Sequence, residues 1–142
     1  SYLKPYSKKI MIAGSIRRGK PEVHDIEIVA IPNGRFQIGL IVDRWKKIRG
    51  DVGGKYLQRQ LPEGINLDLF FAAKENWGNI LLIRTGSAEF SRQFMIRLLQ
   101  KGYRQKDGYL WKDDKRIDCY EEEDLFKFVG MEYTEPELRE NS

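Results

Sequence analysis

Short apolar runs, helically spaced runs and turn residues that separate them predict an α+β fold for this 142-residue chain. The expected architecture is a small mixed sheet flanked by helices, followed by a smaller helix-and-hairpin lobe. Three observations lead there. Residues 65–71 alternate with a period of two, placing Ile65, Leu67, Leu69 and Phe71 on one face and Asn66, Asp68 and Phe70 on the other. Phe90, Phe94, Met95, Leu98 and Leu99 recur at helical spacing. Asp107-Gly108 between two strand-like runs is a hairpin signal.

Taken in order, residues 1–9 are basic and read as the end of a helix. Residues 10–13 form a first strand, and a polar stretch from Gly14 leads into a second, 25–31, which stops at Pro32-Asn33-Gly34. From 36 to 48, Ile38, Ile41, Val42, Trp45 and Ile48 predict a helix with Trp45 in the core, and 50–54 break it. Residues 55–61 and 65–71 make a hairpin around Pro62-Glu63-Gly64. A helix beginning at 75–78 buries Ile80, Leu81 and Leu82 and ends at Thr85-Gly86. Ser87 caps the next helix, and Gly102 closes it. Strands at 109–111 and 116–117 precede an acidic helix at 121–129. The tail packs through Tyr133 and Pro136, then frays. The domain division expected is 1–74 and 75–142.

Composition narrows the function classes. No apolar run reaches the roughly 18 residues of a membrane-spanning helix, so no membrane partner is expected. The single cysteine, Cys119, excludes an internal disulfide and, with one histidine in the chain, a Cys/His metal cluster. A reducing, cytoplasmic setting follows, or a nucleoid or viral replication site, rather than secretion. The net charge of +4 is uneven: residues 121–142 carry eight acids and two bases, the preceding residues 23 bases and 13 acids. A basic body suits a polyanion such as nucleic acid or a nucleotide.

The chemistry concentrates in residues 14–27. Gly14 permits a sharp turn and close approach of a ligand. Ser15 and the free amides around it at a turn or helix start form an anion cradle. Arg17 and Arg18 bring planar donors suited to phosphate oxygens, although an ion-pair role is favoured for Arg17. Asp25 and Glu27, two apart on a strand, point to one face while Ile26 and Ile28 point to the core. Two carboxylates side by side repel unless a cation lies between them, and magnesium takes carboxylate, water and phosphate oxygens. Asp68, in an otherwise apolar strand, is a third acid for such a site. The pattern points to metal-assisted phosphoryl or nucleotidyl transfer.

Gly14-Ser15-x-Arg17-Arg18-Gly19, Asp25-x-Glu27, Asp68 on a later strand, Thr85-Gly86-Ser87 and Lys101-Gly102-Tyr103 together resemble the family X DNA polymerases, within the nucleotidyltransferase superfamily. The likeness runs on to Tyr133-Thr134-Glu135-Pro136 and covers almost the whole chain. It implies a nucleotidyltransferase palm over 1–74 and a small nucleotide-binding lobe over 75–142. It implies that Asp25, Glu27 and Asp68 bind two Mg2+ ions, which Mn2+ could replace, and that Asp68 helps activate a primer 3′-hydroxyl. Gly14, Ser15 and Arg18 would hold the triphosphate, and Gly86 would approach the sugar. His24 contributes its backbone beside Asp25. The partners implied are a nucleoside triphosphate and primer/template or gapped DNA, handled by a monomer.

The sequence also departs from that family. Glu27 stands where aspartate is usual. Ile83-Arg84 replaces an aromatic pair, placing Arg84 within reach of phosphate. Ser91 occupies a position where asparagine often reads the base, and Met95 one where arginine often meets the template. No counterpart of the amino-terminal lyase and hairpin DNA-binding parts is found in the 142 residues, from which distributive gap filling is expected. An acceptor other than DNA (an RNA end, a protein or small-molecule hydroxyl) and a non-catalytic nucleic-acid-binding module are the alternative readings.

Overall fold

The computed structural model describes residues 2–139. A single 3-10 turn, Lys4–Tyr6, leads into β1 (Ser7–Ile12); then come α1 (Gly14–Arg17), β2 (Asp25–Pro32), α2 (Arg35–Val42), β3 (Lys46–Arg49), β4 (Tyr56–Gln60) and β5 (Asn66–Phe71). Helices α3 (Trp77–Thr85) and α4 (Ala88–Gln100), strands β6 (Tyr103–Lys106), β7 (Tyr109–Lys112) and β8 (Lys115–Ile117), and α5 (Glu122–Phe128) complete the order before a last 3-10 turn, Pro136–Leu138. The fold is α+β. Its larger sheet is mixed, ordered β1-β2-β5-β4-β3, with only the β2–β5 pair parallel; β6-β7-β8 form a second, antiparallel sheet.

Strand alternation divides the larger sheet into two unlike faces. Ile28 and Ala30 from β2, Leu57 from β4 and Leu67, Leu69 and Phe71 from β5 are buried against Ile38 and Val42 of α2. The opposite face is apolar over only half its length. There Val29 packs with Ala13 under Trp77 and Leu81 of α3, with Phe70 partly buried beside them. The first halves of β2 and β5, which carry Asp25, Glu27, Asn66 and Asp68, lie outside that cover on the same face. A separate core of Phe90, Phe94, Leu98, Leu110, Leu125 and Phe126 holds α4, the smaller sheet and α5 together.

The helix expected over 36–48 stops at Val42; a turn over 43–45 follows and the last residues become β3. Apolar spacing at Trp45 and Ile48 fits a helix, but strand pairing with β4 prevails, secured by a side chain from β4. Arg59, fully buried beside Leu57, donates to the carbonyls of Arg49 and Gly50 and to Asp43 Oδ1 at 3.2 Å. Trp45 is partly buried against the α2 core, near its expected place. Strand β1 starts at Ser7, where a helix end was expected, and the hairpin after Gly102 gains a third strand. Leu99, expected in the α4 stripe, is 62% exposed; Ile80 is only partly buried. Ser87 caps α4 as expected, its hydroxyl accepting from the Phe90 amide at 3.2 Å. Tyr133 and Pro136 pack as anticipated. The expected fraying of the last residues lies outside the described residues, as does Ser1. No helix among the described residues is long and apolar enough to cross a membrane.

Candidate active site

The parallel pairing of β2 with β5 sets Glu27 directly beside Asp68, and Asp25 beside Asn66. All four side chains share the face that α3 leaves uncovered. Asp68 is 7% exposed and its Oδ1 accepts two hydrogen bonds, from the Tyr56 hydroxyl at 2.7 Å and from Gln58 Nε2 at 2.9 Å. Its Oδ2 receives none from a described residue. Burial, then the bond to Asp68, pushes the Tyr56 hydroxyl up to about 12, so it remains a donor across the neutral range. Tyr56 stacks on Phe70, with ring centroids 4.8 Å apart, and the Arg84 guanidinium lies over the other partner, 4.3 Å from the Phe70 centroid.

Glu27 is the most constrained of the acids. Burial first, and the neighbouring Asp68 charge second, raise its carboxyl above the ordinary range; Arg18 and Arg84 pull in the opposite direction. Gly14 explains how it fits. At φ +62°, the position occupied by Gly14 has no room for a Cβ, which would collide with Glu27 Oε2. The close approach anticipated for a ligand is made by the chain's own carboxylate.

Helix α1 is a single turn, so its first amides have no intrahelical acceptor. The Ser15 hydroxyl is bonded to no described residue. Arg17 is an ion-pair residue: Nη1 and Nη2 each lie 2.7 Å from a Glu122 oxygen, and Nη1 also donates to Thr85 Oγ1. Arg18 Nη1 donates to the Thr85 carbonyl at 2.6 Å, beside Gly86, while its buried Nε has no partner. His24 is exposed one residue before β2. Ser91 is buried and donates to the Ile83 carbonyl at 2.9 Å, so its proton is committed within the helical lobe. The buried Cys119 thiol, raised to about 12 by burial, is no nucleophile.

Sequence reasoning missed Tyr56, Gln58, Glu122 and Arg139. The first two were legible in principle: a hairpin turning at 62–64 sets Gln58 opposite Asp68, and alternation puts Tyr56 on the same face. Glu122 and Arg139 carry no local signal, because their partners lie far away in the chain. Glu122 is 3% exposed and Arg139 fully buried; Arg139 Nη1 lies 2.7 Å from Glu122 Oε2.

A cavity of about 280 Å3 borders the acidic face, lined by Arg35, Lys55, Tyr56, Phe70, Arg84 and Tyr109. Cations beside aromatic rings suit phosphates and bases. A larger cavity of about 440 Å3 opens on the opposite face of the sheet among Ile26, Ile28, Trp45 and Leu67. It is apolar and separated from the three acids by the sheet itself.

The donor set suits a hard divalent cation. It consists of oxygens alone, from carboxylates that repel each other and, on Asn66, a buried Oδ1 with no donor. Among the described residues, no three His, Cys, Asp or Glu side chains converge into a group that could hold a metal. Glu27 and Asp68 are paired in register; Asp25 stands one step further along the face.

The chain is similar to known proteins in two ways. Residues 80–140 match the family model described as DNA polymerase beta thumb. Over 73 residues the chain is 29% identical to DNA polymerase IV of Saccharomyces cerevisiae, a match that covers 51% of this chain and 12% of that protein.

Proposed function

We propose that this chain, a family X DNA polymerase-like protein, transfers a nucleotide from a nucleoside triphosphate to the 3′-hydroxyl of a primer during distributive gap filling. The observation that carries this reading is the register pairing of Glu27 with Asp68, next to Arg18, in a chain whose carboxy-terminal part matches a polymerase thumb. The reading takes residues 1–74 as the palm and 75–142 as the nucleotide-binding lobe, acting as a monomer.

In this mechanism the Ser15 hydroxyl, the first amides of α1 and the Arg18 guanidinium bind the triphosphate oxygens. Gly86, whose Cβ space is taken by Arg18 Nη1, approaches the sugar through its backbone. Arg84 at the edge of the acidic face counters phosphate charge. Asp25, Glu27 and Asp68 would hold two magnesium ions, whose charge would lower the pKa of the primer hydroxyl and offset that of the leaving phosphates. Asp68 orients that hydroxyl. The primer hydroxyl oxygen bonds to the alpha-phosphorus as the bond to the bridging oxygen breaks; pyrophosphate leaves and the hydroxyl proton passes to solvent. Duplex DNA is held across the basic, aromatic-lined cavity.

The test is extension of a gapped duplex with each nucleotide in Mg2+ or Mn2+. The expected result is addition of the complementary nucleotide, lost in Asp68→Ala. Full activity in that variant would overturn the assignment. Preferential labelling of an RNA end or a protein hydroxyl would move the acceptor. DNA binding without turnover in either metal would leave a non-catalytic module.

A further inference from the structure

We infer that Tyr56 and Gln58 are positioning residues that fix the Asp68 carboxylate with one oxygen occupied and the other presented to its ligand, an inference that rests on the metal-dependent reading above. Both donors reach the same oxygen, Oδ1, at 2.7 and 2.9 Å. Two donors converging from one side set the rotation of the carboxylate about its bond to Cβ. Oδ2 is left without a described donor.

The chemistry of the clamp matters as much as its geometry. An arginine at this place would hold Asp68 as firmly, but its charge would compete with any cation for the carboxylate. A phenol and a primary amide hold the geometry without cancelling the charge. The Arg84 guanidinium is kept on the Phe70 ring, and no hydrogen bond joins it to Asp68 among the described residues.

The clamp is itself rigid. Gln58 is the register partner of Asp68 on β4, and Tyr56 is the partner of Phe70, on whose ring it stacks. Between and beyond them Leu57 and Arg59 are buried on the other face, so β4 cannot slip without exposing its core side chain. Groups that hold a ligating residue in place in this way usually change metal affinity when removed.

The test is Mn2+ binding by the intact chain, read from the electron paramagnetic resonance signal of free Mn2+, in the parent and in Asp68→Asn, Tyr56→Phe and Gln58→Met. Asp68→Asn is expected to weaken binding most, and Tyr56→Phe and Gln58→Met each by about tenfold. On gapped DNA these two are expected to lower kcat and leave the nucleotide KM unchanged. Phenylalanine keeps the ring on Phe70 and methionine keeps the length of Gln58; circular dichroism checks the fold, and if one variant unfolds the other decides. Weakened Mn2+ binding in Asp68→Asn with no change in the two clamp variants overturns the inference while the metal reading stands. Unchanged binding in Asp68→Asn removes both together.

Discussion

Gly14 and Glu27 are coupled through a contact that only a glycine allows. The backbone of Gly14 is left-handed at φ +62°, and the Glu27 carboxylate occupies the space a Cβ would take. Gly14→Ala therefore meets two penalties, a backbone strain of about 1–2 kcal/mol and displacement of a half-buried carboxylate. Urea unfolding is expected to show a loss of about 2 kcal/mol or more. Ionised Glu27 is expected to cost stability. Its carboxyl is raised by burial and by Asp68, so the ionised form is disfavoured in the fold. Glu27→Gln is then expected to raise Tm at pH 7 in chelator, a gain of about 1 kcal/mol by analogy with like charges on adjacent strands. The sign follows from the shift: the parent recovers stability as the pH falls through the raised value, so the gain disappears in acid. An unchanged Tm at pH 7 would show that Glu27 is not under strain.

Helices α1, α3 and α5 are joined by a buried charge. Glu122, from the first turn of α5, accepts from Arg17 of α1 and from Arg139 in the tail, and the Tyr133 hydroxyl lies 3.3 Å away. Burial works against ionisation, yet the hydrogen bonds from the two arginines prevail and hold the carboxyl below its ordinary range. Such a group supports the fold above the ordinary carboxylate pKa and loses that support as the pH falls through the depressed value. Acid unfolding should therefore set in below about pH 4.5, and this component should be absent from Glu122→Gln. Glu122→Ala, which leaves the buried Arg139 and the partly buried Arg17 facing no carboxylate, is expected to cost about 3–5 kcal/mol in urea unfolding. Gly78 allows the close approach of α3 to α5, since a Cβ there would meet the Glu121 carbonyl. Of the elements that meet in this network, α3 and α5 were legible in the sequence, from the end at Thr85-Gly86 and the acidic run at 121–129, whereas the turn of α1 was expected as a polar stretch. Their junction was not legible, because Arg17 and Glu122 are 105 residues apart.

At the scale of the molecule, charge and shape act together. The basic excess before residue 121 suits a polyanionic partner, while one carboxy-terminal acid, Glu122, is tied to Arg17 of the basic part and to Arg139 of its own segment. The cavity lined by Arg35, Lys55 and Arg84 is where the polyanion is expected to lie. Fluorescence anisotropy with gapped DNA should give an affinity that falls linearly on logarithmic axes with salt. Lys55→Ala should weaken binding and reduce that slope by about one; an unaltered slope would place the DNA elsewhere.

By itself the sequence determined the class of fold, the faces of 65–71, the capped helix at 87 and the common face of Asp25 and Glu27. These follow from periodicity and turn chemistry, which act over a few residues. Only the tertiary structure decided that 46–49 would be a strand, since a buried Arg59 and a partner strand outweigh local helical spacing. It also decided which donors reach Asp68, which carboxylate fills the space above Gly14, and which arginines meet Glu122. Those choices depend on strand register and helix packing, and both are settled by contacts between segments distant along the chain.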